Sequence, residues 1–600
     1  ELMNVKAELE ALCGTNGSHI TTLHTIAIVL DKMGSDDGDY IAANMASLKS
    51  YLGTLGTWIN DSKMSSMKVD NISVVPANVG EEGLEKAEAG FFKSLWFELV
   101  SFVYSFFTDY NAMGLTKKPS EDDVAVDVWL ALGRDQSQIW RTMIDSEDGY
   151  TALTGNAANL KLVTAGTLLP SILSGKGPDV YMGLGSADVI NYAIRDAITG
   201  ISGNVGLDKD ENANSYNHYF SNNYYTFKSA DGTYRTSDVN DPRDGETLTF
   251  TSKKYSEYAL SDAVVAYEDA TFSQAALDTV TLLDVSYGLP QTMGFAMMFY
   301  RMGVFAKLGI EIPESWSQLL ASLPVLQTNN MEIGVSYISA LDFMIYQMGG
   351  NMWKYTDKEL YSSEYAGARI DLDSDIALEA FEFTCRLYSD YSLPVSFDTA
   401  NRFRTGEMPI VIGDYASIYN TLVVYATEIR GLWEFSSLPG SERHDGTFNY
   451  DSLAGGSATV LLHGCENPLA AWQFMQWQTA EEAQSEYGNR MVALIGPSAK
   501  YESANLKALN NLSWTASEKE AIKDQMMHLS SIVNYPGSYI IARYLKFAFL
   551  EAVNDGADPT DSLRGYVDAI NSEIERKRKE FDLTIVGNAG APRLDEATSN

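Results

Sequence analysis

The fold class is decided by one stretch, NLKLVTAGTLLPSILSGKGPDVYMGLG, Asn159–Gly185. Leu160, Leu162 and Val163 form an apolar run that predicts a strand. Ala165-Gly166 turns the chain, and Thr167 stands where a helix cap would stand. Leu168, Leu169, Ile172 and Leu173 are spaced to line one face of a short helix. Gly175-Lys176-Gly177-Pro178 stops that helix, because glycine and then proline cannot continue it. Asp179–Met182 predicts a second strand, which opens into Gly183 and Gly185. Two strands joined by a helical crossover run parallel in a right-handed unit. Ligands of open parallel sheets bind beyond the carboxyl ends of the strands. Thr164–Thr167 and Gly183–Ala187 are therefore the first candidate site loops.

The alternation extends outward on both sides. Upstream, Val124–Leu130 predicts a buried strand. It turns at Gly133-Arg134-Asp135 into a helix with Ile139, Trp140, Met143 and Ile144 on one side. Downstream, Val189–Ile201 predicts a further helix. Strand and helix alternating from residue 124 onward argue for an α/β protein with a parallel sheet covered by helices.

The chain has 600 residues, and length alone suggests roughly three or four folding units. Its formal charge is −37, with 80 acidic and 43 basic residues spread along the chain. Such a surface repels polyanions, so nucleic acid is excluded as a partner. Solubility alone accounts for the acidity equally well. Cys13, Cys385 and Cys465 are far apart, which shows neither a disulfide framework nor metal spacing. No metal and no cofactor are expected. The first residue is Glu1, which suggests a processed chain.

Residues 1–121 read as a mainly helical module and its linker. Val5–Leu12, Ile20–Met33 and Ile41–Trp58 have helical spacing, and Lys68–Pro76 alternates like a strand. Phe91–Phe107 is the most apolar run, but it carries Lys93 and Glu98. It reads as an amphipathic helix packed on a neighbour rather than lying on a membrane surface. Gly114–Asp123 is the linker. Ser202–Ala270, rich in Tyr, Asn, Ser and Asp, reads as an insertion with short hairpins. Asp208, Asp210, Asn212 and Asn214 resemble the start of a calcium loop, but Ala213 and Tyr219 break its pattern, so a turn is the simpler reading.

The later features have a recognisable order. YGLPQTMGFAMMFYRMGVFAKLGIEIPESW spans Tyr287–Trp316, and Trp353 follows the double glycine Gly349-Gly350. A capped helix begins at DLDSDIALEAFEF from Asp371. FRTGEMPIVIGDY spans Phe403–Tyr415, Gly455-Gly456-Ser457 follows, and NPLAAWQFMQWQTAEEAQSEY begins at Asn467. With Leu168–Met182 and the strand holding Trp129, this ordered set resembles the extracellular solute-binding proteins of ABC importers, in the family that includes the maltose-binding protein. The resemblance runs from about residue 122 to 582.

The resemblance implies a two-lobed α/β fold with a hinge and a ligand cleft between the lobes. Lobe one would take 122–290, with the insertion at 202–270. Lobe two would take 291–453, and 454–600 would return to lobe one and cross both lobes with C-terminal helices. The chain would leave lobe one near Leu289–Met293, return near Ala454–Ser457 and cross again near Met491–Pro497. Residues 1–112 and the insertion depart from the simple family pattern.

The cleft candidates follow from the same positions. Trp353, Tyr415 and Tyr539 would offer flat apolar faces to a sugar ring. Arg134, Asp135, Thr164, Thr167, Ser186, Gln291, Asp414, Ser457 and Arg490 would offer polar groups. Core packing explains any one of the aromatics equally well, and helix capping explains Asp135 and Thr167. The sequence has no HExxH, GxSxG, P-loop or strand-linked GxGxxG pattern, so no catalytic residue is assigned.

The expected function is capture of a carbohydrate, an oligosaccharide above all, and its delivery to a membrane permease. The protein would be an extracellular, cell-surface-attached lipoprotein and a monomer, with its anchor outside this chain. The competing readings are a polyamine ligand, a ligand-gated surface sensor that docks a partner through 1–112, and an enzyme acting on polysaccharide.

Overall fold

The computed structural model describes residues 2–13, 18–35, eight positions between 41 and 58, 90–105, 125–201, 218–229, 234–237, 246–257, 267–282, 285–354, 369–443, 445–465, 467–531 and 534–580. The expected strand at Lys68–Pro76, the linker and the loop at Asp208–Asn214 lie outside these residues. The chain divides into two compact units, Glu1–Gly114 and Leu115–Asn600.

In the first unit, helices Leu2–Cys13 and Ser18–Ser35 pack together, with Ile26, Met33 and Leu48 at the centre of a small core. The helix Phe91–Ser105 forms as expected, but its apolar side chains are not packed away. Phe91 is 74% exposed and Phe92 82%. Among the described residues no helix is long and apolar enough to cross a membrane.

The second unit begins with β1 (Ala125–Leu130), β2 (Ala157–Leu162) and β3 (Val180–Gly185), each followed by a helix on the sheet. Every second residue of β1, Val126, Val128 and Leu130, is fully buried against one core, and Trp129 faces another. β1 pairs in parallel with both β2 and β3. The two strands of the deciding stretch are thus parallel as expected but not adjacent, because β1 lies between them. Of the expected apolar helix face, Leu168 is buried, but Leu173 is 80% exposed. Six residues complete less than two helical turns and seat only one end on the sheet.

A three-stranded antiparallel insertion follows, β4 (His218–Ser229), β5 (Tyr234–Ser237) and β6 (Glu246–Glu257), in the order β5-β4-β6. After the small hairpin β7 (Thr281–Leu282) and β8 (Val285–Ser286), the chain runs through β9 (Leu289–Gly294) into β10 (Ala296–Arg301). β9 and β10 belong to different sheets. Only Phe295 separates them, and this is the crossing between the lobes.

Lobe two adds β11 (Ile333–Val335), the pair β12 (Trp353–Lys354) and β13 (Arg369–Ile370), β14 (Ile410–Asp414), β15 (Trp433–Ser436), and the pair β16 (Ser441–Glu442) and β17 (Phe448–Asn449). Its sheet has the order β11-β14-β10-β15. Met298, Tyr300, Ile410 and Ile412 face one core, and Met297, Phe299 and Val411 face the other. The period-two pattern therefore buries both faces of this sheet.

β18 (Ser452–Leu461) then returns to lobe one. It pairs antiparallel with β9 and β3 and parallel with β19 (Leu529–Ser531). Helices Pro468–Thr479 and Glu481–Ile495 pack in lobe one, and Ile541–Asp555 and Pro559–Glu580 pack on the lobe-two helix Asp375–Ser389.

Candidate ligand cleft

The register of three strands builds the candidate floor. Ser457 on β18 sits opposite both Gly185 on β3 and Thr292 on β9. The hydroxyls of Thr292 and Ser457 are 2.8 Å apart, and Ser457 N–H donates to Thr292 Oγ1 at 3.0 Å. Gly455 and Gly456 come next, opposite Gly294 and Met293, and both are exposed. Ala296, the first residue in lobe two, pairs with Asp414 at the end of β14. Its N–H donates to Ser452 Oγ on β18. A continuous row thus runs from Ser186 through Ser457 and Thr292 to Asp414, and it bridges the lobes along the crossing.

The candidate walls are the carboxyl ends of the parallel strands, where open parallel sheets bind ligands. Lobe one contributes Thr164–Thr167 after β2, Ser186 after β3, and Arg134 and Asp135 beyond β1, all exposed or half-buried. The helix Arg134–Ile144 is capped at Gly133, whose N–H donates to Gln136 Oε1 at 2.8 Å, so Asp135 is not the cap. Thr167 stands at a cap position in helical conformation. Its hydroxyl donates to Thr164 O at 2.8 Å instead of accepting from the helix.

Lobe two contributes the ends of β11 and β14, which are parallel neighbours. Ser336, Tyr337 and Ile338 follow β11, and Ile338 is 51% exposed. Asp414 ends β14 and accepts from Ser417 N–H at 2.8 Å, so it caps the next helix. Asp342, on the helix after β11, is pushed up to about 7 by loss of water.

Four expected contacts are buried or engaged by other side chains. Gln291 is 2% exposed and lies in an internal network in which the Thr459 hydroxyl donates its one proton to Gln478 Oε1 at 2.8 Å and lies 3.3 Å from Gln291 Oε1. Tyr415 is 1% exposed, its ring tilted on Phe295 at 4.7 Å and near Trp514 at 5.7 Å. That ring is a core group, not an open platform. Arg490 is paired with Glu486 one turn away on its own helix. Tyr539 is 48% exposed, and its hydroxyl is bonded to Glu573 on the last helix.

Trp353 is 4% exposed and meets Tyr535 edge to face at 4.8 Å. Tyr535 packs against both the lobe-two core and the lobe-one cluster around Leu168 and Tyr181. The pair therefore marks a seam between the lobes. Sequence reading selected Tyr539 from NYPGSY and missed Tyr535, although both tyrosines flank the same Pro-Gly turn. Sequence reading also passed over Ser336–Ile338 as candidates, and the short apolar strand just before them was the available signal.

Two sheets joined by paired crossings, with polar strand ends facing the junction, form the fold of the maltose-binding-protein-like solute-binding proteins. Residues 244–485 match the family model for bacterial extracellular solute-binding proteins. Comparison with curated proteins gives no match by sequence. Among solved structures, the sugar-binding protein MalE of Xanthomonas citri is similar with a TM-score of 0.54 and 12% identity, covering 76% of this chain and 99% of that one. The maltose-binding protein MalE of Listeria monocytogenes, in complex with maltose, gives 0.51 and 14%, covering 76% and 99%. A solute-binding protein of Thermotoga lettingae, bound with α-D-tagatose, gives 0.50 and 16%, covering 75% and 100%. These likenesses bear out the fold read from the sequence.

Proposed function

We propose that this protein captures a carbohydrate between its lobes and presents it to the membrane permease of an ABC importer. The observation that carries the reading is the floor itself, an exposed Gly455-Gly456 pair flanked by Ser457, Thr292 and Asp414 at the crossing. A sugar resting there meets hydroxyl and carboxylate partners from both sides. Thr164, Thr167 and Ser186 add lobe-one contacts, and half-buried Tyr535, braced by Trp353 beneath the seam, supplies an apolar face. Contacts from both lobes favour the closed state, because a ligand shifts an equilibrium by its differential affinity for the two states. The closed shape is then what a permease reads. The sugars named for the similar solved structures support this ligand class.

The test is calorimetric titration with maltose, with spermidine as the second arm, and small-angle scattering of each mixture. Saturable maltose binding with compaction is the expected result. Binding of spermidine alone would replace the carbohydrate with a polyamine. Release of reducing ends from polysaccharide would make the protein an enzyme.

A further inference from the structure

Gly294 ends β9 as the chain leaves lobe one, and two carboxylates close over it. A Cβ on Gly294 would stand 2.5 Å from Asp414 Oδ2 and 3.1 Å from Glu502 Oε2. The two oxygens are therefore no more than about 5.6 Å apart, within the range where like charges disturb each other. They come from opposite sides of the crossing. Asp414 ends β14 of lobe two and is held by Ser417 N–H. Glu502 lies on a segment strapped to β9, where Met293 N–H donates to Glu502 O at 2.9 Å and Ala504 N–H donates to Gln291 O at 3.1 Å.

Glu502 Oε2 is closed off from solvent and accepts no hydrogen bond from any described residue. The neighbouring titratable groups are the phenols of Tyr415 and Tyr501, both raised by burial and by this acid. Lys500, two residues away, is turned elsewhere. Its ammonium lies 4.7 Å from the Trp514 ring and 5.5 Å from the Tyr419 ring, and 3.8 Å from Glu518 Oε2. Asp414 is the one charged group among the described residues that acts on the Glu502 carboxyl. An anion enclosed beside a second anion, with no donor, takes up a proton. Glu502 is accordingly pushed up to about 8, by loss of water first and by Asp414 second.

We propose that Glu502 holds a proton beside the Asp414 carboxylate across the interlobe crossing, and that losing it biases the hinge toward opening. With Glu502 protonated, the pair carries a single negative charge. The deprotonated pair is two anions over one glycine, and swinging lobe two away is the motion that separates and hydrates them. The coupling to hinge motion rests on the two-lobed reading of the function, but the proton on Glu502 does not.

The sign follows from the direction of the shift. The folded protein keeps a proton that an unfolded glutamate releases near 4.5. Stability is therefore lost as pH rises from about 4.5 to about 8 and is level above that. The test is urea unfolding of the whole chain between about pH 5 and pH 9.5, comparing wild type with Glu502→Gln, which mimics the protonated acid. The ratio of their unfolding constants should rise by about tenfold per pH unit through this window and then level off. Asp414→Asn should move the window to lower pH without abolishing it. Scattering of the ligand-free protein should show expansion of wild type above about pH 8.5, but not of Glu502→Gln. Parallel pH profiles for wild type and Glu502→Gln would overturn the proton on Glu502. Differing profiles with unchanged scattering would overturn its coupling to the hinge. If Glu502→Gln does not fold, the infrared band of a protonated carboxylic acid in Asp342→Asn, which removes the other raised acid, decides instead: its loss near pH 8 supports the proposal, and its absence at neutral pH overturns it. All of these measurements are made without ligand, so a failure to bind maltose leaves them intact.

Discussion

Replacing Gly456 by alanine should cost about 3 kcal/mol, whereas the same change at Gly455 should cost less than about 0.5 kcal/mol. The two glycines are neighbours in β18 and equally exposed, so composition and accessibility do not separate them. Their surroundings do. A Cβ at Gly456 would lie 2.0 Å from Thr292 O and 2.8 Å from its carbonyl carbon, both backbone atoms of β9. At Gly455 nothing lies within 4 Å. Carbon and carbonyl oxygen approach to about 3.3 Å at closest, so β9 and β18 would have to part by about 1 Å. That stretches the hydrogen bonds flanking Gly456 beyond useful length, at about 1 kcal/mol each, on top of about 1–3 kcal/mol for overpacking. Urea unfolding gives the stability change, and scattering of the folded protein reports the hinge, which this ladder joins on both sides. If Gly456→Ala lies within about 0.5 kcal/mol of wild type, or Gly455→Ala proves equally damaging, the close approach of β9 and β18 is not what holds the crossing.

Tyr415→Ala should destabilise the fold by about 3–5 kcal/mol, because its ring fills a fully buried position, and Tyr539→Ala should change stability by less than about 1 kcal/mol in the same urea titration. Tyr535→Ala should weaken maltose binding by about tenfold in calorimetry, while Tyr539→Ala leaves it unchanged. Glu573 is held down to about 2, with the Arg576 hydrogen bond the first cause and that of Tyr539 a further one. Its contribution is complete above about 4.5 and disappears as pH falls toward 2, and exposure keeps it below about 1 kcal/mol. Arg576→Ala should remove this acid-side dependence in thermal unfolding between those limits. Removing residues 1–114 should leave maltose affinity unchanged, since the second unit has its own cores.

The sequence by itself determined the class of the fold and the order of its parts. Apolar runs between Gly/Pro breaks can be satisfied only by strands and helices in alternation. Gly455-Gly456 before an apolar run likewise placed the returning strand, because a bare backbone there suits close approach to another strand. What the tertiary structure decided is where each side chain points and what it meets. The local pattern of the deciding stretch fits a β2–β3 pair with or without β1 between them, and long-range pairing chose the second. Tyr415 and Tyr535 are equally plausible as exposed rings in sequence. Packing on Phe295 and Trp514 takes the first inward, and the meeting of two cores brings the second to the seam. Asp414 and Glu502 are ordinary acids in their local contexts. They become a pair only because β14 and the segment strapped to β9 converge over Gly294, and electrostatic coupling depends on distance in space rather than along the chain.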